Sequence, residues 1–161
     1  MLDNIRSVYN VGSILRTAEG LGVETVYLCG ITPYPKLRAN DNRPPYLSAR
    51  IDKQIAKTAL GAERSLTMHY FPSINSVIDE LKKSGVKIIA LERDSKSKSI
   101  VTYKTRFDTA LIVGNEIDGI SRKTLELSDS ILSIPMFGKK ESFNVSAATA
   151  MALFYIKLCM I

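Results

Sequence analysis

The stretch 109-TALIVGNE-116 holds four successive apolar residues, Ala110 to Val113, and then turns abruptly to glycine, amide and carboxylate. A strand with one wet face alternates, so a strand that does not alternate is covered on both faces. The same run-then-polar pattern recurs in 86-VKIIALE-92 and 130-SILSIP-135. Helical segments separate these runs, which predicts an α/β chain: a mainly parallel sheet flanked by helices. Ligands of such sheets collect beyond the carboxyl ends of the strands. The loops beginning at Leu91, Gly114 and Ile134 are therefore the first places to look for a site.

Earlier in the chain, 10-NVGSILR-16 opens a helix with Val11, Ile14, Leu15 and Ala18 on one face, and Asn10 reads as its N-cap. Strands are expected at 23-VETVYLCG-30 and 66-LTMHYF-71, with helices at 51–62 and, capped by Ser73, at 74–85. Residues 32–50 read as a long polar loop with four prolines. The last third adds helices over 122–128 and 144–158. With 161 residues and 45% hydrophobic content, a single domain over 1–161 is expected, with no separate RNA-binding extension.

Several chemistries are excluded by what the chain lacks. Cys29 and Cys159 have no ligand-like spacing to His69, the one histidine, so neither a disulfide framework nor a metal site is expected, and a reducing cytoplasm fits best. No G-x-G-x-x-G opens a helix, and 114-GNEIDG-119 lacks the Lys-Ser/Thr of a phosphate loop. His69 reads as a structural residue on a strand. Residues 36–106 hold 15 Lys/Arg against 7 Asp/Glu, while the remainder holds 7 against 9, so the +6 charge is regional. A regional basic excess suits a polyanion, although a solvated lysine surface has the same composition.

Three polar-small clusters follow predicted strands: Asn10 with Arg16, Gly114 with Asn115 and Glu116, and Ser142 with Asn144 and Ser146. Each alone is explained by caps and surface charges. Together, as 4-NIRSVYNVGSILRTAEGLG-22, 111-LIVGNEIDGIS-121 and 133-SIPMFGKKESFNVSAATAMALF-154, they resemble the three ordered motifs of the SPOUT superfamily, and within it the SpoU (TrmH) family of RNA ribose 2′-O-methyltransferases. The resemblance runs from about Leu2 to Leu158.

That resemblance implies a deep C-terminal trefoil knot wrapped around S-adenosylmethionine. Backbone groups near Leu91, Gly114, Ile134, Met136, Phe143 and Asn144 are the expected cofactor contacts, with Phe143 standing where relatives usually carry leucine. Small residues at Ser142, Ser146, Ala147, Ala148 and Ala150, with Gly114 and Gly138, suit close backbone approach. Arg16 is the implied catalytic residue, either as the base or as the stabiliser of the developing alkoxide, assisted by Asn10, Glu116, Ser142 and Asn144, with Glu116 expected to fix both knot and arginine. A homodimer through the knot region is implied, and the apolar last helix agrees with it.

The expected partner is tRNA or rRNA, with Arg38, Arg43, Arg50, Lys96 and Lys98 gripping phosphates and Tyr34 and Tyr46 offered to unpaired bases. Two other readings stay open at this stage. One is a non-catalytic RNA-binding or assembly factor on the same fold, and the other is an RNA base methyltransferase.

Overall fold

The structure is a computed structural model that describes residues 1–36 and 41–159. Strands β1 (Leu2–Asp3), β2 (Thr25–Cys29) and β3 (Thr67–Phe71) form one parallel set in the order β1-β2-β3. Strands β4 (Lys87–Leu91), β5 (Lys98–Ser99), β6 (Thr109–Ile112) and β7 (Ser130–Ser133) form a second, in the order β5-β7-β4-β6. A parallel bridge between Leu2 and Val113 joins the two, so β1 lies beside the end of β6.

Helices α1 (Val8–Gly20), α2 (Pro45–Ala59), α3 (Ala62–Ser65), α4 (Ile74–Lys83), α5 (Arg122–Leu127) and α6 (Val145–Cys159) cover the sheet. Along β4 the side chains alternate between two cores. Ile89 packs into a core with Ile14, Leu15, Leu28, Ile55 and Ile156, while Ile88 and Ala90 pack with Ile74, Val77, Ile78 and Ile112. Burial on both faces is why β4 and β6 read as unbroken apolar runs.

Strand β7 lies between β4 and β5, which are consecutive in the chain. The segment leaving Ser133 must therefore pass the 92–97 connection that joins its two neighbours, which is the strand order a threaded C-terminal segment calls for.

Two expectations about helix starts are corrected. Ser7, not Asn10, caps α1: its side chain accepts from the Asn10 N–H at 3.3 Å, which frees the Asn10 amide for other work. Helix α2 begins at Pro45 rather than at 51, because proline at a first helical position has its φ already set and no N–H to lose. Tyr46 and Arg50 consequently sit on a helix, not in a loop.

Candidate functional site

The carboxyl ends of β4, β6 and β7 open onto a cleft of about 540 Å³. Leu91 ends β4, Gly114 follows β6, and Ile134 and Met136 follow β7; all four line the cleft, with Ser142, Phe143 and Asn144 from the segment before α6. At Gly114 glycine is required by packing, since a Cβ there would lie 2.6 Å from the Gly119 carbonyl. The 115–119 turn closes on itself through Asn115 N–H to Gly119 O at 3.2 Å and Gly119 N–H to Asn115 O at 3.0 Å. Gly138, by contrast, has open space around it, so nothing in this packing demands glycine there.

Three distant segments meet at the rim. Glu116 accepts from the Arg6 N–H at 2.9 Å, the Ser7 N–H at 3.0 Å and the Asn10 side-chain amide at 2.8 Å. Asn10 in turn accepts from the Asn144 amide at 3.2 Å. Asn144 Oδ1 accepts from the Ser146 N–H at 2.9 Å, which starts α6, and from the Ser146 hydroxyl at 2.7 Å. Burial pushes the Glu116 carboxyl up, but the hydrogen bonds from Arg6, Asn10 and Ser7 outweigh it and hold the group below its ordinary range. The carboxylate also sits just before the amino end of α1, where the helix dipole favours negative charge.

Glu116 makes no bond to Arg16 within the chain, contrary to expectation: its oxygens are taken by Arg6, Ser7 and Asn10. Arg16 is exposed on α1 and does not line the cleft. Six residues along a helix place it about 9 Å farther on and about 120° around from Asn10. Ser142 is exposed at the rim, with no hydrogen-bond partner among the described residues.

The candidate RNA contacts separate. Arg38 lies outside the described residues. Arg43 is turned inward, its side chain only 13% exposed. Its guanidinium donates to both Asp41 oxygens, to Tyr34 O at 2.8 Å and to Pro35 O at 3.0 Å, and lies 3.5 Å over the Tyr34 ring. Tyr34 stacks on Tyr70 at 4.2 Å, so both its faces are covered. Arg43 thus ties Tyr34, Pro35 and Asp41 together, and with Tyr34 it is not free for RNA, whereas Arg50, Lys96, Lys98 and Tyr46 are exposed.

Glu92 was not foreseen. It lines the cleft, accepts from the Ile120 N–H at 2.8 Å, and packs so closely on Gly119 that a Cβ there would strike it. Its position just past a strand end was the one available signal, and a strand-end charge is too common to single it out.

The SpoU rRNA methylase family model matches residues 44–154. The 23S rRNA (guanosine-2′-O-)-methyltransferase RlmB of Neisseria meningitidis is 33% identical over 95% of this chain and 55% of its own length. The chain belongs to the SpoU rRNA methylase family. It spans about half the length of the curated relatives it matches. The A. aeolicus TrmH/SpoU tRNA modifying enzyme has the same fold, with a TM-score of 0.77 and 24% identity over 98% of this chain and 72% of that one. So does the AdoMet-bound rRNA methyltransferase from Sinorhizobium meliloti, with a TM-score of 0.81 and 21% identity over 99% of this chain and 55% of that one. The parallel α/β architecture is that of SpoU methylases, the SPOUT knot fold. Among the described residues no helix of this SpoU chain is long and apolar enough to cross a membrane, and no cluster of three or more His, Cys, Asp or Glu could hold a metal.

Proposed function

We propose that this chain transfers a methyl group from S-adenosylmethionine to a ribose 2′-hydroxyl of tRNA or rRNA. The observation that carries this reading is the convergence of Asn10, Glu116 and Asn144 in one hydrogen-bonded chain at the rim of the cleft. The cleft also fits the cofactor. Its volume of about 540 Å³ suits a ligand of that size, and Glu92, Glu116, Asp118 and Glu141 on its wall suit one bearing sulfonium and ammonium charges. Leu91, Gly114, Ile134, Met136, Phe143 and Asn144 are the residues that would hold it. When bound, the cofactor supplies an electrophilic methyl group.

The chain's own task is to orient a hydroxyl and ease the loss of its proton. A guanidinium stays protonated, so the role assigned to Arg16 is to stabilise the developing alkoxide and hold an adjacent phosphate. Within one protomer Arg16 stands apart from the cleft, and a homodimer would bring it to the partner's. Support for that assembly lies on α6, where Met151, Phe154 and Leu158 form an exposed apolar stripe opposite the buried Thr149, Ala152 and Ile156. Asn10 and Asn144 would anchor the rim, and Ser142 would meet the substrate.

Incubation with methyl-labelled S-adenosylmethionine and fractionated cellular RNA tests the proposal. Label retained in alkali-resistant dinucleotides is the expected result, because 2′-O-methylation blocks alkaline cleavage. Label in bases alone, or no uptake of the donor by calorimetry, overturns it.

A further inference from the structure

The segment after β5 packs on α6, where the Tyr155 hydroxyl donates to Val101 O, and then turns to the amino ends of β4 and β7. Lys98 and Ser99 pair with Leu132 and Ser133 at the cleft end of β7. By Lys104 to Phe107 the chain has reached Lys87 and Ser130, the amino ends of β4 and β7. Two hollows lie beside β7 and share Asp129 and Ser130 as a common wall. The first, about 260 Å³, is lined by Lys96, Lys98, Arg122 and Glu126, and the second, about 570 Å³, by Lys87, Lys104, Arg106 and Phe107.

The charges in this groove are unevenly used. Arg122 is paired with Asp94 and Glu126, and Lys87 with Asp129. Lys96, Lys98, Lys104 and Arg106 are exposed and form no ion pair among the described residues. Phe107 is 61% exposed, with the Lys87 ammonium 5.8 Å from its ring centre. An apolar ring left in water beside the exposed Lys104 and Arg106 is poorly suited to solubility. It suits a strand that offers phosphates and an unpaired base together, since stacking and charge tracking combine in single-stranded recognition.

We propose that single-stranded RNA flanking the target nucleotide lies along this groove, with phosphates on Lys96, Lys98, Lys104 and Arg106 and one base stacked on Phe107. The proposal rests on the RNA methyltransferase reading and gives that substrate a second point of attachment. The groove runs the length of β7, about 10 Å, so two or three nucleotides span it.

Anisotropy titrations of the full chain with a fluorescein-labelled single-stranded RNA of mixed sequence, at several salt concentrations, test the groove. Lys104→Glu with Arg106→Glu is expected to weaken binding at least tenfold and to flatten the salt slope by about 1.4, two single-strand phosphate contacts. Phe107→Ala is expected to lose about tenfold with the salt slope unchanged, and Phe107→Tyr to restore it. Lys83→Glu, on α4, controls for net charge and should match the unaltered chain. Equal affinity in all variants overturns the groove, as does polyglutamate competing as well as polyuridylate, which would mark a surface for acidic proteins. Thermal unfolding screens out misfolded variants. Donor uptake by calorimetry is read separately: its absence refutes the methyltransferase reading, while the groove is judged on the titrations alone.

Discussion

The side-chain amide of Asn10 donates to Glu116 at 2.8 Å, joining the first turn of α1 to the loop after β6 across 106 positions of sequence. Asn144 closes the same chain from the start of α6. Side chains from all three motifs of the family therefore meet at the rim of the cleft. The arrangement fixes where the rim stands relative to α1.

Glu116→Gln should destabilise the chain by about 1 kcal/mol at neutral pH, because a neutral amide is a weaker acceptor for the Arg6 and Ser7 N–H groups. The pH dependence has a definite sign. The folded-state pKa of Glu116 is lowered, so its contribution is fully present above the ordinary carboxylate range and is lost as pH falls through the folded value. Urea unfolding of both proteins at pH 7 and at acid pH should show a gap at the first that narrows progressively as pH falls.

Arg16→Ala should abolish methyl transfer while leaving donor affinity nearly unchanged, since Arg16 does not line the cleft. If each site takes Arg16 from one protomer and its cleft from the other, mixing Arg16→Ala with Asn144→Ala protein should recover about a quarter of normal activity through mixed dimers. Sites built within one chain would recover none. Turnover assays on the mixture, after subunit exchange checked by sedimentation, decide between the two.

Gly114→Ala forces a Cβ to 2.6 Å from Gly119 and Ile120, so the 115–120 loop must shift. A loss of about 1–3 kcal/mol in stability is expected, as for overpacking elsewhere. Calorimetric titration should also show donor affinity falling at least tenfold, while Gly138→Ala, in open space, leaves both unchanged.

Arg43→Ala removes the cation that binds Asp41, Tyr34 O and Pro35 O. About 2 kcal/mol of stability should be lost, read by urea unfolding. The salt slope of RNA binding should stay the same, because this guanidinium is already satisfied by the protein. A flattened slope would return Arg43 to the RNA surface.

Much of the fold was legible in the chain. The doubly buried strands β4 and β6 announced themselves because burial on both faces removes alternation, and Ser73 marked the start of α4 by its capping chemistry. Residues of the cleft were also readable as a set, through the loops that begin at Leu91, Gly114 and Ile134. Other features were ambiguous locally. Ser7 and Asn10 are both good caps, and only the placement of Glu116 beside Asn10 shows which one is free to do something else. Arg43 looked like a phosphate contact because a sequence records that a cation is present, not what surrounds it.

By itself, then, the order of residues determined the elements, the parallel sheet and the family, since these follow from local periodicity, capping and motif order. Only the tertiary structure decided which charges are spent inside the chain, as with Arg43 and Asp41, and which stay open, as with Lys104 and Arg106. It also decided that Arg16 stands apart from the cleft of its own chain. The physical reason is that hydrogen bonds and ion pairs act over a few ångströms, and the partners here lie up to 134 positions apart. Proximity of that kind is a property of the folded chain.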